Sequence, residues 1–145
     1  MAQHPELPCT SVLFIDGYHS DRTHYVDQLK WCSSDYEVLE AVNGQAGLTC
    51  YRSRRIDCVV LEIDLPDMSG FQLLVDLIPI PKRPNIAIVI LTRLSSQLLW
   101  DLAKKQGAYA CLLKNHTSQE NLDRVIQHAV ALVGQMPKED QYQPR

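Results

Sequence analysis

The sequence predicts an α/β domain built on one five-stranded parallel sheet with helices on both faces. Three observations lead there. Short apolar runs recur along the chain, and most are rich in Val and Ile, as suits strands covered on both faces. Segments with apolar residues at helical spacing lie between them. Strand and helix therefore alternate five times, the order that builds a parallel sheet through crossover connections.

The elements follow in order. SVLFI at 11–15 reads as the first strand. After Asp21, Val26, Leu29 and Cys32 share one helical face. YEVLEA at 36–41 is the weakest strand signal, and Asn43-Gly44 punctuates the gap behind it. CVVL at 58–61 is the third strand. From Ser69 onward, Phe71, Leu74, Val75 and Ile78 recur at helical spacing, and Pro79 to Pro84 close that segment. NIAIVIL at 85–91 is the fourth strand, a fourth helix is expected over Ser95 to Gln106, and YACLL at 109–113 is the fifth strand. The last helix, 118–134, has the clearest stripe: Leu122, Val125, Ile126, Ala129, Leu132 and Val133. Ser118 suits its N-cap, and Gly134 is expected just past its end.

Composition narrows the class. The chain has 145 residues, 46% hydrophobic and 21% charged, which fits one globular domain. We expect that domain over residues 9–135, with a flexible segment at 1–8 and a polar tail or linker at 136–145. The net charge of −3 and the absence of any basic run longer than RSRR at 52–55 argue against a nucleic-acid surface. Five cysteines (Cys9, Cys32, Cys50, Cys58 and Cys111) show no C-x-x-C spacing, so a reducing compartment is expected rather than a disulfide framework or zinc site. No 18-residue apolar stretch and no signal-peptide pattern occur, so we expect a cytoplasmic protein that does not enter the membrane.

In doubly wound sheets, functional residues gather outside the carboxyl ends of the strands. The residues to inspect are therefore Asp16 and Gly17, Glu62 to Asp64, Thr92 and Arg93, and Lys114 with Asn115. Singly, each has an ordinary explanation: an acid after a strand starts a turn, and a lysine there is solvated. Together they bring two acids, a hydroxyl and an amine to one crevice.

This combination resembles the receiver domain of two-component response regulators, over residues 9–134. Glu62, Pro66, Met68 and Gly70 follow that family's third-strand pattern Asp-x-x-x-Pro-x-Met-x-Gly, with Glu at the first place. FIDGYHSDR supplies Asp16 and, six residues on, Arg22; Thr92 in VILTR and Lys114 in GAYACLLK take the family's remaining places. The resemblance implies a flavodoxin-like (βα)5 fold. It also implies a site where an Asp accepts a phosphoryl group from a histidine kinase, beside Mg²⁺, with a Thr and a Lys engaging the phosphate.

The chain departs from that pattern at the chemistry. Glu62 stands at the phosphoacceptor place, and its extra methylene displaces the carboxylate by about 1.5 Å, an error that costs on the order of 10² in rate. Gly17 stands where the family has a direct metal ligand. Mg²⁺ requires near-octahedral oxygen ligation, so Asp16, Glu62 and Asp64 would hold it weakly or not at all, and no cofactor is expected. Arg93 replaces a small residue, and is expected to cover the crevice, to fork onto Glu62 or to point to solvent. Cys111 takes the place of the family's switch aromatic, paired with Thr92, and Asn115 follows Lys114 in place of Pro.

The sequence thus points to a receiver-type signalling module, not an enzyme, that works by protein contacts without the usual phosphorylation. Glu62 is expected to act as a built-in anion reaching Thr92 Oγ and the Lys114 ammonium. Two other functions stay open: a working phosphoacceptor using Asp64 or Glu62 with weak Mg²⁺, and a flavodoxin-like small-ligand binder, for which GYHSDR is a poor phosphate cradle. Expected partners are a histidine kinase or a linked kinase or output domain. A homodimer would use the face made by the fourth helix, fifth strand and fifth helix, Ser95 to Gln106 and Tyr109 to Val133. There, one of Leu98, Leu99 and Trp100 must face outward, and Trp100 is a candidate anchor.

Overall fold

A computed structural model describes residues 9–134 of the chain. Five strands and five helices alternate: β1 (Thr10–Ile15), α1 (His19–Cys32), β2 (Tyr36–Ala41), α2 (Gly44–Ser53), β3 (Cys58–Leu61), α3 (Gly70–Leu77), β4 (Ala87–Thr92), α4 (Gln97–Lys105), β5 (Ala110–Leu113) and α5 (Gln119–Gly134). All strand pairs are parallel, in the order β2-β1-β3-β4-β5. The expected fold class is the observed one. The expected end segments, 1–8 and 136–145, lie outside the described residues.

The sheet separates two apolar cores. On one face, Leu48 of α2, Leu73, Leu74 and Leu77 of α3, and Ala103 of α4 pack on Leu13, Ile15, Val59, Leu61, Ile88 and Ile90. On the other, Tyr25, Val26 and Leu29 of α1 and Leu122, Ile126 and Ala129 of α5 pack on Val12, Phe14, Cys58, Val60, Val89 and Leu91. Alternate residues of each central strand thus serve opposite cores, which is why those strands read as unbroken apolar runs.

Short polar side chains start four of the five helices, α2 to α5. Asn43 Oδ1 accepts from the Ala46 N–H at 2.8 Å, Ser69 Oγ from Phe71 at 3.1 Å, Ser96 Oγ from Leu99 at 3.3 Å and Ser118 Oγ from Asn121 at 3.1 Å. The α2 N-terminus has a second acceptor: Asp67, in the loop before α3, takes the Gly44 and Gln45 N–H groups at 2.8 and 2.9 Å. Its carboxyl is held below its ordinary value by those donors, the favourable place for a negative charge.

Three details differ from expectation. Helix α1 starts at His19, two residues before Asp21, so Asp21 lies in its first turn, and Cys32 is only half-buried. Helix α3 buries Leu74, and Ile78 at its C-cap, with Phe71 packed against the same core as expected; Leu73 and Leu77 join them, and Val75 alone of the stripe is left 45% exposed. Gly134 is the last residue of α5 rather than the one beyond it, and Leu132 is exposed.

Candidate functional site

The sheet delivers the site residues in register. The ladder runs one step past the strands: Asp16 N–H donates to Ala41 O at 3.0 Å, Glu62 N–H to Ile15 O at 3.0 Å and Lys114 N–H to Thr92 O at 2.8 Å. Four adjacent strands therefore end on Asp16, Glu62, Thr92 and Lys114, all buried.

At the centre is the Lys114 ammonium, in a residue only 3% exposed. Its Nζ lies 2.7 Å from Asp16 Oδ2, 2.9 Å from Glu62 Oε1 and 3.0 Å from Asp21 Oδ2. Burial works to lower its pKa, but Asp16 and Glu62 outweigh burial and hold it above its ordinary value. Glu62 accepts four hydrogen bonds. Oε2 takes the Thr92 hydroxyl at 2.5 Å and the Asp64 N–H at 3.0 Å; Oε1 takes Lys114 and the Arg93 N–H, the latter at 3.2 Å. Thr92 Oγ1 in turn accepts from the Leu94 N–H at 3.2 Å. Asp16 Oδ1 accepts from the Tyr18 N–H at 2.8 Å, and its backbone carbonyl from Arg22 at 2.6 Å.

Above this layer is a cover. The Arg93 guanidinium lies 3.8 Å from the centroid of the Tyr18 ring and pairs with Asp21 Oδ2 at 2.8 Å. That bond, ahead of the contact with Lys114, holds the Asp21 carboxyl below its ordinary value. The Tyr18 hydroxyl donates to Asp64 Oδ2 at 2.6 Å. A hollow of about 180 Å³ lined by Gly17, Tyr18, Asp64, Leu65 and Pro66 flanks the cover.

The structure thus brings together Asp16, Glu62, Thr92 and Lys114, and places Asp64 and Arg93 on the rim. Arg93 covers the crevice, but its side chain does not fork onto Glu62. Both Glu62 oxygens already hold two donors each, so the guanidinium turns to Asp21. Asp64 does not join Asp16 and Glu62: Glu62 points into the pocket, Ile63 into the core, and Asp64 stands exposed against Tyr18. Two members of the site were not expected. Asp21 becomes a pocket residue only because α1 starts at His19, and Tyr18 carries no motif that marks it.

The donor set does not fit Mg²⁺. Lys114 Nζ stands between Asp16 and Glu62 where a cation bridging them would lie. Among the described residues no three His, Cys, Asp or Glu side chains are grouped to hold a metal ion. Gly17 contributes no oxygen, and a Cβ there would lie 2.8 Å from Pro66 Cδ. The peptide after Lys114 is trans, and Asn115 adopts φ of 72°, a left-handed conformation that Asn tolerates. Its N–H donates to the Tyr25 hydroxyl at 2.8 Å, which fixes the turn that aims Lys114 inward.

Away from the pocket, Cys111 is half-buried on β5, and its Sγ donates to Trp100 O at 3.6 Å. Burial pushes its thiol up to about 11, so it packs as a small hydrophobe. Leu98 is 69% exposed on α4, with Leu102 and Tyr109 also exposed nearby. Trp100 is half-buried, and its Nε1 donates to Leu94 O at 2.9 Å. No helix among the described residues is long and apolar enough to cross a membrane.

Comparison with known proteins agrees with this geometry. The family model described as "Response regulator receiver domain" matches residues 12–127. Among relatives, the protein PilH of Pseudomonas aeruginosa is 29% identical over 96 residues, 66% of this chain and 78% of its own length. The chemotaxis protein CheY of Thermotoga maritima is 30% identical over 80 residues, 54% of this chain and 65% of its own. Among solved structures, a response regulator receiver domain protein from Clostridium thermocellum superposes with a TM-score of 0.75 at 26% identity, covering 85% of this chain and 95% of that one. The chemotaxis response regulator CheY4 of Vibrio cholerae gives 0.72 at 25% identity, covering 83% and 98%.

Proposed function

The chain belongs to the response regulator receiver domain family, a family of two-component signalling modules that work with kinases and output domains as protein partners, and from that premise we propose that it signals by contact, without phosphoryl transfer to position 62. The observation that carries this is the Glu62 carboxylate, already bonded to Thr92 Oγ1 and Lys114 Nζ. Those are the two groups through which, by resemblance, a receiver engages its phosphate. Glu62 is the anion they would otherwise wait for, and each charge-assisted bond in such a desolvated site contributes about 1.5–3 kcal/mol.

The same bonds oppose acyl phosphate formation. A nucleophilic carboxylate needs an oxygen free to meet the incoming phosphorus in line. Both Glu62 oxygens are fully engaged, the path above them is crossed by Tyr18 and Arg93, and Lys114 takes the cation's place. Contacts with partners would then be made by α4, β5 and α5, where Leu98, Leu102 and Tyr109 stand exposed. That face also serves the proposed homodimer, which Leu98→Glu would dissociate in sedimentation.

Intact mass after incubation with acetyl phosphate, with and without Mg²⁺, tests the proposal. The expected result is no gain in either case. A gain of one phosphoryl group only with Mg²⁺ overturns it, and mapping to Asp64, the exposed rim carboxylate, would establish a working phosphoacceptor instead.

A further inference from the structure

Helix α4 is weakly seated. Ala103 is its single buried residue, whereas α1, α2, α3 and α5 each bury three or more. A helix with so few buried contacts takes its position from its polar ties, and it belongs to the part of a fold that moves at low cost. Those ties lead to the pocket. Glu62 Oε2 accepts from Thr92 Oγ1 at 2.5 Å, Thr92 Oγ1 accepts from the Leu94 N–H at 3.2 Å, and Leu94 O accepts from Trp100 Nε1 at 2.9 Å. Trp100 O then accepts from Cys111 Sγ at 3.6 Å on the neighbouring strand.

We propose that Trp100 is the positioning residue that couples Glu62 to α4 and to the surface α4 displays, in place of an aromatic switch on β5. A hydroxyl has one proton and two lone pairs. The Glu62 carboxylate fixes the Thr92 proton on itself, which leaves the lone pairs aimed at Leu94 N–H. That bond sets the Leu94 peptide, whose carbonyl holds the Trp100 indole and with it the first turns of α4. Without the carboxylate the hydroxyl rotates freely, Leu94 loses its aligned acceptor, and the helix carrying Leu98 and Leu102 is released. Cys111 has no ring to swing; it offers only a thiol against the Trp100 carbonyl. This inference rests on Glu62 as a built-in anion, and adds the path by which that anion is read.

The chain has two tryptophans, so Trp31→Phe leaves Trp100 as the one indole. Trp31, 84% exposed and measured alone in Trp100→Phe, gives the emission and acrylamide quenching of an open indole. In the Trp31→Phe protein, Glu62→Gln and Thr92→Val are expected to red-shift Trp100 and move its quenching toward the Trp31 value. Thr92→Ser, which keeps the hydroxyl, is expected to restore the parent signal. A tryptophan bonded only locally would ignore all three. Unchanged Trp100 emission and quenching in folded Thr92→Val overturns the coupling. If Thr92→Val does not fold, Glu62→Asp, whose carboxylate falls short of Thr92 Oγ1, decides by the same readout. A Glu62→Gln protein that loses stability while Trp100 stays unmoved removes the coupling alone. One that changes neither removes the hydrogen-bonding role of Glu62, on which the built-in anion rests, as well.

Discussion

Replacing Glu62 by Gln keeps the side chain's size and removes its charge, and two effects then compete. In the pocket and its cover, three carboxylates (Asp16, Asp21, Glu62) are ion-paired with two cations (Lys114, Arg93), a sum of −1. Removing one negative charge brings that sum to zero, so the Coulomb balance alone favours the variant. Hydrogen bonding opposes it. Each Glu62 oxygen faces a fixed backbone donor, Arg93 N–H at 3.2 Å or Asp64 N–H at 3.0 Å. Whichever way the amide is turned, its NH2 meets one of them and leaves it without an acceptor. A buried donor stranded in this way costs about 1–3 kcal/mol, and the weakened bond to the ammonium adds about 1 kcal/mol. These losses sum to about 2–4 kcal/mol before the charge gain is set against them, so the stranded donor is expected to win and Tm to fall by up to roughly 8–16 °C for a domain of this size. Urea unfolding at pH 7, with the slope checked for two-state behaviour, measures it. A Glu62→Gln protein as stable as the parent would refute the hydrogen-bond argument and leave charge balance as the governing term.

Other substitutions test neighbouring claims. Asp67→Asn keeps an acceptor at the α2 N-terminus but loses the charge. Because the folded pKa of Asp67 is lowered, its contribution is complete above the ordinary value of 3.8 and disappears as pH falls through the folded value. The stability gap between parent and variant should therefore be constant from pH 5 to 7 and close below pH 3.8 in acid-titrated unfolding. Gly70→Ala would place a Cβ 2.6 Å from Ile63 Cα, against backbone that cannot turn aside, and is expected to cost about 2–3 kcal/mol in denaturant. Gly17→Asp should fail to restore a metal site, since its Cβ meets Pro66 and Lys114 still stands between Asp16 and Glu62. Its Tm should fall and should not rise on adding Mg²⁺.

The alternation of apolar runs and helical stripes carried the fold, because strands buried on both faces have no other way to be written. The strand-end rule likewise located Asp16, Glu62, Thr92 and Lys114. That α3 turns Leu73 and Leu77 inward and Val75 outward was not legible. Six of the eight residues from Phe71 to Ile78 are apolar, so several stripes satisfy the same spacing. The start of the helix is pinned at Gly70, whose N–H donates to Ile63 O at 2.9 Å in a close approach that no hydrophobic pattern records. Asp21 and Tyr18 were hidden for a related reason. Their roles depend on where α1 begins, and Tyr18 at its N-cap makes no side-chain hydrogen bond that would mark the start. The partner chosen by Arg93 could not be read either, because it depends on how many donors Glu62 already holds.

The sheet that divides the apolar interior also divides the chain's freedom to vary. Helices α1 and α5 answer to one set of strand residues, and α2, α3 and α4 to the other. A change in size at Ile126 must be absorbed by its own side, and one at Leu77 by the other. Substitutions on opposite faces should combine additively, and compensating pairs should fall within a face. The polar pocket is where that independence ends, since Arg93 before α4 grips Asp21 on α1 across the carboxyl edge of the sheet. Two interiors can drift separately in sequence so long as that clasp is kept.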